Sequence, residues 1–588
     1  MIVLAVGLLP LVFADASAAS ARRLEDDVKR LASSAWKGRR AGTPGADQAA
    51  TWIAEEWKRL GLAPAFGSSY LQGFGFIDGV SLGKGSRLEI DGRRFRSGED
   101  FRPLAFSASG SAAGGAVFAG YGLVAKDLGF DEYDGLDVAG KIVLVLRYGP
   151  MGDDAHSKWG AFTALRIKAA AARERGATAL LVVTGPLTAG RRDELVPLRA
   201  DASLVDAGLP VLGVRQAVAE ALLAGSGVGL HEAQRRVDAG KSASFALPAR
   251  VALAADVTPR RATSSNVAAI LPGSDAAAGA IVVGAHYDHL GLGASGSLDP
   301  KPEGRLHPGA DDNASGVAAV MELARRLSRQ RATPARSIVF AAFGAEELGT
   351  LGSTYFARNP PPPEGRIVAM LNLDMVGRLR EDTLDVHGLG TSPAWGSIVE
   401  QANRGPALKL RTHDGGFGPS DHNSFYLADK PVLFFFTGVH SDYHRSSDTA
   451  DKLHSAGLLR IVDLVEGVVT RLGAETTALA FTRVAADKQT QASASRGFRA
   501  YVGGIPDYAA PGPGVAISGV TPGSPADEAG MRGGDVILRF AGKEVRTIYD
   551  YTFALGERKP GDAVELIVKR GEAELTLHVT LGARSGAR

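Results

Sequence analysis

The sequence predicts an α/β protein with two smaller modules added to it. Between residues 255 and 475, four strongly apolar runs, each typical of a strand, alternate with helical patterns. Between 112 and 250 the chain has short β-rich runs and an alanine-rich helix. Residues 496–588 combine short strands with Gly and Pro turns, which indicates a separate compact domain.

The composition restricts the possible chemistry. The chain has 588 residues, with 66 Lys and Arg against 64 Asp and Glu, so the net charge is only +2. This balance argues against a nucleic-acid partner, which would require a clustered basic face. The absence of cysteine excludes disulfides, thiolate metal ligands and a cysteine nucleophile. Any metal must therefore be held by His, Asp and Glu.

The N-terminus has the pattern of a signal peptide. The apolar run over residues 2–14 is shorter than the roughly 20 residues that span a bilayer. It is followed by Ala16-Ser17-Ala18, which fits a signal-peptidase site. We expect a signal peptide over residues 1–20, no transmembrane span, and a secreted or periplasmic protein of the bacterial envelope. The alternative is a buried N-terminal strand or helix.

The apolar spacing also predicts the elements of the α/β region. A spacing typical of an amphipathic helix extends from Asp47 to Leu60 and stops at Gly61. The four strand-like runs are GAIVVGAHYDH, RSIVFAAFGAEE, RIVAMLNLDMVG and KPVLFFFTGVHSDYH. They are almost continuously apolar, as in strands that are covered on both faces. The helix between the first two places Val317, Val320, Met321, Ala324 and Leu327 on one face.

Each apolar run ends in acidic or imidazole side chains. The start of one helix also carries acidic side chains. These residues are His286, Asp288, His289, Glu346, Glu347, Asp374, Asp442 and His444, joined by Asp311 and Asp312 of GADDNASG. Ligands of open α/β sheets bind just beyond the carboxyl ends of the strands, so these groups should meet in one crevice. Such a dense carboxylate cluster requires neutralising cations. The donor types predict zinc or a similar divalent ion, with two ions joined by a bridging carboxylate.

A family resemblance rests on five motifs in order: HYD, PGADDNASG, AAFGAEELGTLGS, LNLDMVGR and SDYHRSSDTADK. Together they resemble the zinc aminopeptidases of peptidase family M28. The resemblance covers residues 255–475, and LASSAWKGRRAGTPG resembles the leading segment of that family. It implies a three-layer α/β/α fold with a mixed central sheet and two zinc ions per chain. Residues 21–111 would then begin the peptidase domain and residues 251–480 form its catalytic core.

The resemblance also implies roles for individual residues. The zinc ligands would be His286, Asp312, Glu347, Asp374 and His444, with Asp312 as the bridging carboxylate and Asp311 outside the set. The Asp312–Asn313 peptide bond would be cis. Glu346 would be the general base and Asp288 would orient His286.

Several neighbouring residues keep more than one interpretation. Related peptidases place a hydroxyl that stabilises the oxyanion at the position of Tyr443, although simple packing beside the site is an equal alternative. Asp421 and His422 of SDHNSF are candidates for a supporting role behind the ligands. We assign no direct metal contact to His289, His440 or Asp448.

The two added modules also resemble known domains. The segment 112–250 resembles a protease-associated (PA) insert, which would shape substrate access or bind partners. After a polar linker at 481–495, residues 496–588 resemble a PDZ domain. Its loop Tyr501–Val502–Gly503–Gly504 would receive a peptide or protein C-terminus, because PDZ domains add an extended peptide to a sheet edge. The alternative is a domain that only packs on the rest of the chain.

The sequence thus favours an exported zinc aminopeptidase that acts on peptide substrates, with Glu346 as the base. A carboxypeptidase or dipeptidase on the same site is the first alternative, and Arg378 and Arg445 are its candidate carboxylate-binding residues. A non-catalytic, receptor-like peptide-binding protein and a glutaminyl cyclase are less favoured, because all five ligand positions and the base are filled.

Overall fold

The computed structural model describes residues 9–125, 128–152, 157–198, 206–239, 243–293, 296–361, 366–477, 479–484, 500–506, 514–521, 523–546 and 548–583. Most of the predicted linker lies outside these residues. The chain divides into two compact units. The first unit comprises Met1–Phe76 and Ala262–Ala485, and the second comprises Ile77–Arg261 and Ala486–Arg588.

The helices are α1 Leu9–Leu31, α2 Pro44–Arg59, α3 Leu165–Glu174, α4 Gln216–Leu223, α5 Leu230–Asp238, α6 Gly316–Leu327, α7 Leu351–Arg358, α8 Trp395–Ala402, α9 His422–Tyr426, α10 Ser455–Ala474, α11 Pro525–Glu528 and α12 Ile548–Gly556. Shorter helical turns span Ser34–Arg39, Gly160–Phe162, Ala276–Ala278, Ala310–Ser315, Leu389–Thr391 and Ala450–Lys452. Among the described residues, no helix combines the length and apolar character that crossing a bilayer requires.

The strands are β1 Ala63–Pro64, β2 Leu71–Leu82, β3 Arg87–Ile90, β4 Arg93–Phe95, β5 Phe101–Pro103, β6 Gly110–Phe118, β7 Val124–Ala125, β8 Phe130–Asp131, β9 Ile142–Leu146, β10 Ala179–Val183, β11 Val211–Val214, β12 Phe245–Ala255, β13 Val257–Leu271, β14 Ala280–His286, β15 Ser337–Phe343, β16 Ile367–Leu373, β17 Thr383–His387, β18 Lys409–His413, β19 Val432–Phe436, β20 Ala500–Tyr501, β21 Gly504–Pro506, β22 Val515–Val520, β23 Val536–Phe540, β24 Lys543–Glu544, β25 Ala563–Arg570, β26 Ala573–Thr580 and β27 Gly582–Ala583.

The first unit is built on a mixed nine-stranded sheet. Its strand order is β1-β13-β15-β14-β16-β19-β17-β18, with β2 paired to β13. The four predicted apolar runs form β14, β15, β16 and β19, which are neighbours and pair in parallel. Alternate residues of β14 enter different cores: Ile281 and Val283 pack with α6 and α10, whereas Val282 packs with α7 and α9. Helices therefore cover both faces of the sheet, which confirms the predicted α/β class.

The N-terminal part of the first unit packs onto this sheet. Helix α1 buries Leu24, Val28 and Leu31 in the core that also contains α6. Its first residues overlap the segment for which we predict a signal peptide. Helix α2 begins at Pro44, three residues before the predicted start, because Thr43 is extended and Pro is favoured in the first helical turn.

The second unit contains a mixed eight-stranded sheet and the C-terminal strands. The eight strands have the order β4-β3-β12-β6-β9-β10-β11-β5, and β6, β9, β10 and β11 run parallel. The predicted alanine-rich helix is α3, which is buried along Ile167–Ala172. The C-terminal strands form a six-stranded sheet, β21-β22-β23-β25-β26 with β24 on β23.

Within the second unit, the C-terminal domain packs on the β-rich insert through α12 and α3. Phe553 of α12 is 4% exposed and joins the apolar core on the α3 face of the eight-stranded sheet. Arg173 of α3 bonds the buried Asp550 at 2.5 Å. Lys543 bonds Glu174 at 2.6 Å and lies over the Phe553 ring. The contact thus combines an apolar anchor with two ion pairs.

Candidate metal centre

Four parallel strands and one helix start bring the predicted residues together. His286 ends β14, Glu346 and Glu347 follow β15, and Asp374 follows β16. Asp312 lies in the turn before α6, and His444 lies in the loop after β19. Because parallel strands end at the same sheet edge, these side chains meet in one place.

The first donor group consists of His286, Asp312 and Asp374. His286 Nε2 lies 3.4 Å from Asp312 Oδ1 and 3.4 Å from Asp374 Oδ1. All three residues are buried, and their donor atoms are close enough together to hold one metal ion.

The second donor group shares Asp312 with the first. His444 Nε2 lies 3.1 Å from Glu347 Oε2 and 3.3 Å from Asp312 Oδ2. We expected no direct metal contact for His289, yet its donor atom and those of Asp312 and Glu347 are also close enough together to hold one metal ion. His289 Nδ1 lies 2.6 Å from Glu347 Oε1. That distance is typical of a strong hydrogen bond, so His289 holds the Glu347 oxygen that points away from His444.

The geometry of both groups fits zinc. Bonds of about 2.0–2.1 Å in a tetrahedral site place two donor atoms about 3.3 Å apart. The observed separations between imidazole nitrogen and carboxylate oxygen are 3.1–3.4 Å. Asp312 Oδ2 and Asp374 Oδ1 are buried and accept no well-aligned hydrogen bond from the described part of the chain. A cation would satisfy both oxygens.

The electrostatics of the cluster also favour cations. Burial on its own would lower the pKa of His444, but the adjacent carboxylates of Asp312 and Glu347 raise this pKa to about 11. Burial likewise opposes protonation of His286, yet Asp374 and Glu346 raise its pKa well above the ordinary value. The carboxylates therefore stabilise positive charge at both imidazoles.

Glu346 lies beside the first donor group without belonging to either group. Its Oε2 is 3.8 Å from His286 Nε2. Burial, reinforced by neighbouring carboxylates, raises the pKa of Glu346 well above its ordinary value. The backbone N–H of Glu346 donates to Asp288 Oδ1 at 3.0 Å. His286 Nδ1 lies 3.2 Å from the carbonyl oxygen of Asp288 and 3.9 Å from its Oδ1.

The SDHNSF segment contacts the first donor group through Asp374. Ser420 Oγ donates to Asp374 Oδ2 at 2.7 Å, and Asn372 donates to Ser420. Asp421 is fully buried, and burial raises its pKa to about 7. His422 stacks on Phe434 with ring centroids 4.4 Å apart.

A second network fixes the turn that carries Asp312. Asp448 Oδ2 accepts from the backbone N–H groups of Asp311 and Asp312 at 2.9 and 3.1 Å. The Asp311 carboxylate accepts from Gly377 and pairs with His440, which keeps it out of both donor groups. The Asp312–Asn313 peptide bond is cis, as the resemblance implies.

Sequence reasoning missed Arg39. Its side chain is completely buried and donates to the carbonyl oxygens of Tyr287, Pro308, Gly309 and Leu31. Burial lowers its pKa to about 10, although the nearby Asp288 and Asp312 favour its charge. Arg39 lies in LASSAWKGRRAGTPG, the segment that resembles the leading part of the family, but its partners are backbone atoms, so the sequence does not indicate that this side chain is buried.

Tyr443 packs directly on a donor residue. Its ring stacks on His444, with centroids 3.9 Å apart and planes inclined by 22°. Burial and the surrounding carboxylates raise the pKa of its hydroxyl, so the group stays protonated at neutral pH.

Comparison with known proteins identifies three domains. The family model of peptidase family M28 matches residues 266–469, that of the PA domain matches 103–222, and that of the PDZ domain matches 486–581.

Curated relatives include leupeptin-inactivating enzyme 1 of Streptomyces exfoliatus and aminopeptidase YwaD of Bacillus subtilis. The first is 29% identical over 37% of this chain and 51% of its own length. The second is 27% identical over 65% of this chain and 72% of its own length. The chain thus spans about half the length of the first relative.

Among solved structures, BSAP, a zinc aminopeptidase from Bacillus subtilis, is 26% identical, with a TM-score of 0.46, over 78% of this chain and 98% of that chain. The three domain matches and the curated relatives agree with the motifs. Residues 266–469 thus form a domain of peptidase family M28, and the chain also carries a PA domain and a PDZ domain.

Proposed function

We propose that this protein is an exported aminopeptidase that uses two zinc ions. One ion would be held by His286, Asp312 and Asp374, and the other by Asp312, Glu347 and His444. The observation that carries the proposal is the pair of donor groups that share Asp312, with separations of 3.1–3.4 Å. The names of the relatives support the activity.

Glu346 is the proposed general base, and it later passes its proton to the leaving amine. Bound zinc ions would polarise the scissile carbonyl and lower the pKa of water at the site. Burial raises the pKa of Glu346, which favours its taking a proton from that water. The hydrogen bond from the backbone N–H of Glu346 to Asp288 holds Glu346 in position beside His286. Tyr443 is the proposed donor to the oxyanion, and its raised pKa keeps the required proton in place.

The pairing of the two candidate arginines favours an aminopeptidase over a carboxypeptidase. Arg378 lies 3.0 Å from Asp448 and 3.4 Å from Asp442. Arg445 is 3.9 Å from Asp299. Both guanidinium groups thus face carboxylates of the chain itself, which compete with a substrate carboxylate. A cluster rich in carboxylates suits the ammonium group of a peptide N-terminus better.

The remaining parts of the proposal concern export and partners. The apolar run at 2–14 and the following small residues support secretion or a periplasmic location. For the PDZ domain we propose a peptide or protein C-terminus bound at residues 501–504. Gly503 has a φ of 99°, and a Cβ there would lie 2.2 Å from Ser524 Cβ, so the loop requires glycine.

The test combines a base variant with peptides that are blocked separately at each end. Glu346→Gln keeps the shape of the side chain but removes the base, so we expect kcat to fall about 10²–10⁴-fold with zinc content unchanged. Glu400→Gln, an exposed site in the same unit, is the matched control. Mass spectrometry should show wild-type loss of residues from free N-termini only. Cleavage of N-blocked peptides, or full activity of Glu346→Gln, would refute the corresponding part of the proposal.

A further inference from the structure

A short segment far away in the sequence holds His444 on the side opposite its donor nitrogen. His444 Nδ1 donates to the carbonyl oxygen of Gly296 at 2.9 Å. The backbone N–H of Leu298 in turn donates to the carbonyl oxygen of His444 at 2.9 Å. Residues 296–299 therefore hydrogen-bond both the ring and the backbone of His444, which lies almost 150 positions later in the sequence.

Asp299 closes this contact. Its Oδ2 accepts from the backbone N–H of Ser446 at 3.0 Å. Its own N–H donates to Ser297 Oγ at 3.1 Å. The Asp299 side chain is only 8% exposed, so this bond is largely protected from water. The segments 296–299 and 444–446 are thereby joined by three hydrogen bonds.

A buried imidazole shapes the segment from the other side. His307 is 0% exposed, and its Nε2 lies 2.7 Å from Ser297 Oγ and 3.5 Å from Asp299 Oδ2. Its Nδ1 lies 2.9 Å from the carbonyl oxygen of Arg305. His307 takes part in neither donor group. Its contacts with Ser297, Asp299 and Arg305 instead hold the loop in its observed conformation.

A histidine that binds a metal through Nε2 must carry its proton on Nδ1, and the acceptor of that proton fixes the tautomer and the rotation of the ring. Gly296 provides this acceptor for His444. The backbone of His444 also requires support, because its φ of 55° is unfavourable for a residue with a side chain. The hydrogen bond from the backbone N–H of Leu298 to the carbonyl oxygen of His444 supplies that support.

We infer that residues 296–299, closed by Asp299 and shaped by His307, form a latch that positions His444 for the zinc ion it would share with Asp312 and Glu347. Asp299 is a positioning residue in this inference, since it acts through Ser446 and Gly296. The inference rests on the proposed two-zinc site. It assigns the latch to one of the two metal positions, because the contacts of His286 and Asp374 do not include this segment.

The experiment measures zinc binding rather than catalysis. Asp299→Ala removes the acceptor for Ser446, whereas Asp299→Asn keeps an oxygen that can accept the same N–H. Asp275→Ala is the matched control, since Asp275 also accepts a backbone N–H in an exposed loop of the first unit. Zinc titration by calorimetry and zinc-to-protein ratios after dialysis against graded chelators give the affinity of each equivalent. Thermal unfolding of the metal-free proteins reports any general loss of stability.

We expect Asp299→Ala to bind one equivalent like the wild type and the other about 10–100-fold more weakly, the usual effect of losing a residue that supports a ligand. Asp299→Asn should recover most of this affinity, and Asp275→Ala should match the wild type. Two equivalents of wild-type affinity in Asp299→Ala would overturn the latch, as would equal weakening of both. A wild type that binds two zinc ions but cleaves no peptide would overturn the proposed function alone. A wild type that binds no zinc would overturn both.

Discussion

Replacing Arg39 with alanine removes a buried cation together with its hydrogen bonds to four carbonyl groups. These carbonyls belong to the end of α1, to the residue after β14 and to the turn before Asp312. Arg39 therefore ties together three segments that meet beneath the metal centre. Its loss should weaken the fold and the donor geometry at once.

The magnitude follows from the number of bonds. A hydrogen bond to a charged group contributes about 1.5–3 kcal/mol, and water entering the vacated space recovers part of that. Four such bonds total about 6–12 kcal/mol, and with that partial recovery we expect a loss of about 4–6 kcal/mol for Arg39→Ala. This loss is comparable with the whole stability of many domains, about 5–15 kcal/mol. Arg39→Lys keeps the charge but cannot reach four carbonyls, so we expect a loss of about 2–3 kcal/mol.

Urea unfolding of the metal-free protein, followed by tryptophan fluorescence, measures this loss. Trp36, Trp52, Trp57 and Trp395 lie in the first unit and Trp159 in the second, so the signal reports mainly on the unit that contains Arg39. Arg329→Ala, at an exposed arginine of the same unit, is the control. If Arg39→Ala stays within about 1 kcal/mol of Arg329→Ala, the structural role of the buried guanidinium is refuted.

Three further predictions follow from single contacts. Asp312→Ala should lose most of both zinc equivalents, since Asp312 belongs to both donor groups; a ratio near two after dialysis would contradict this. Burial lowers the pKa of His422 from 6.5 to about 3, so acid protonates the unfolded chain first. Stability should therefore be fully present above pH 6.5 and decline towards pH 3, and His422→Phe, which keeps the ring on Phe434, should flatten this decline in urea midpoints of the metal-free protein. In the second unit, Phe553→Ala combined with Asp550→Asn should loosen the C-terminal domain and speed its release by limited proteolysis; an unchanged cleavage rate would contradict the α3–α12 contact.

The sequence predicted the parts of the centre that depend on strand ends. A continuous apolar run with an acid or imidazole at its end predicts a buried strand. It also predicts the sheet edge at which that donor side chain lies. This is why His286, Glu347 and Asp374 could be placed together before their distances were known. Parallel pairing of β14, β15 and β16 brings them to the same edge of the sheet.

The contacts that support the ligands could not be predicted in this way. Arg39, Asp448 and Asp299 come from turns and loops, where no periodic spacing indicates which way a side chain points. Their partners are mostly backbone N–H and carbonyl groups, which every residue possesses. The contact between α3 and α12 could not be predicted from the sequence either. Each helix has an apolar face, but the sequence pattern does not indicate which partner that face packs against.

Two arginines near the centre show how a carboxylate cluster can be stabilised without an arginine bonding its donor oxygens. Arg378 pairs directly with Asp448, and the other oxygen of that carboxylate accepts from the backbone of the turn that carries Asp312. Arg39 bonds backbone carbonyls instead, and its charge acts on Asp288 and Asp312 through space. An arginine that paired directly with Asp312 would occupy the oxygens that the proposed zinc ions require. The buried guanidinium thus lowers the electrostatic cost of the cluster while its own hydrogen bonds go to carbonyl oxygens and not to the carboxylates of the two donor groups.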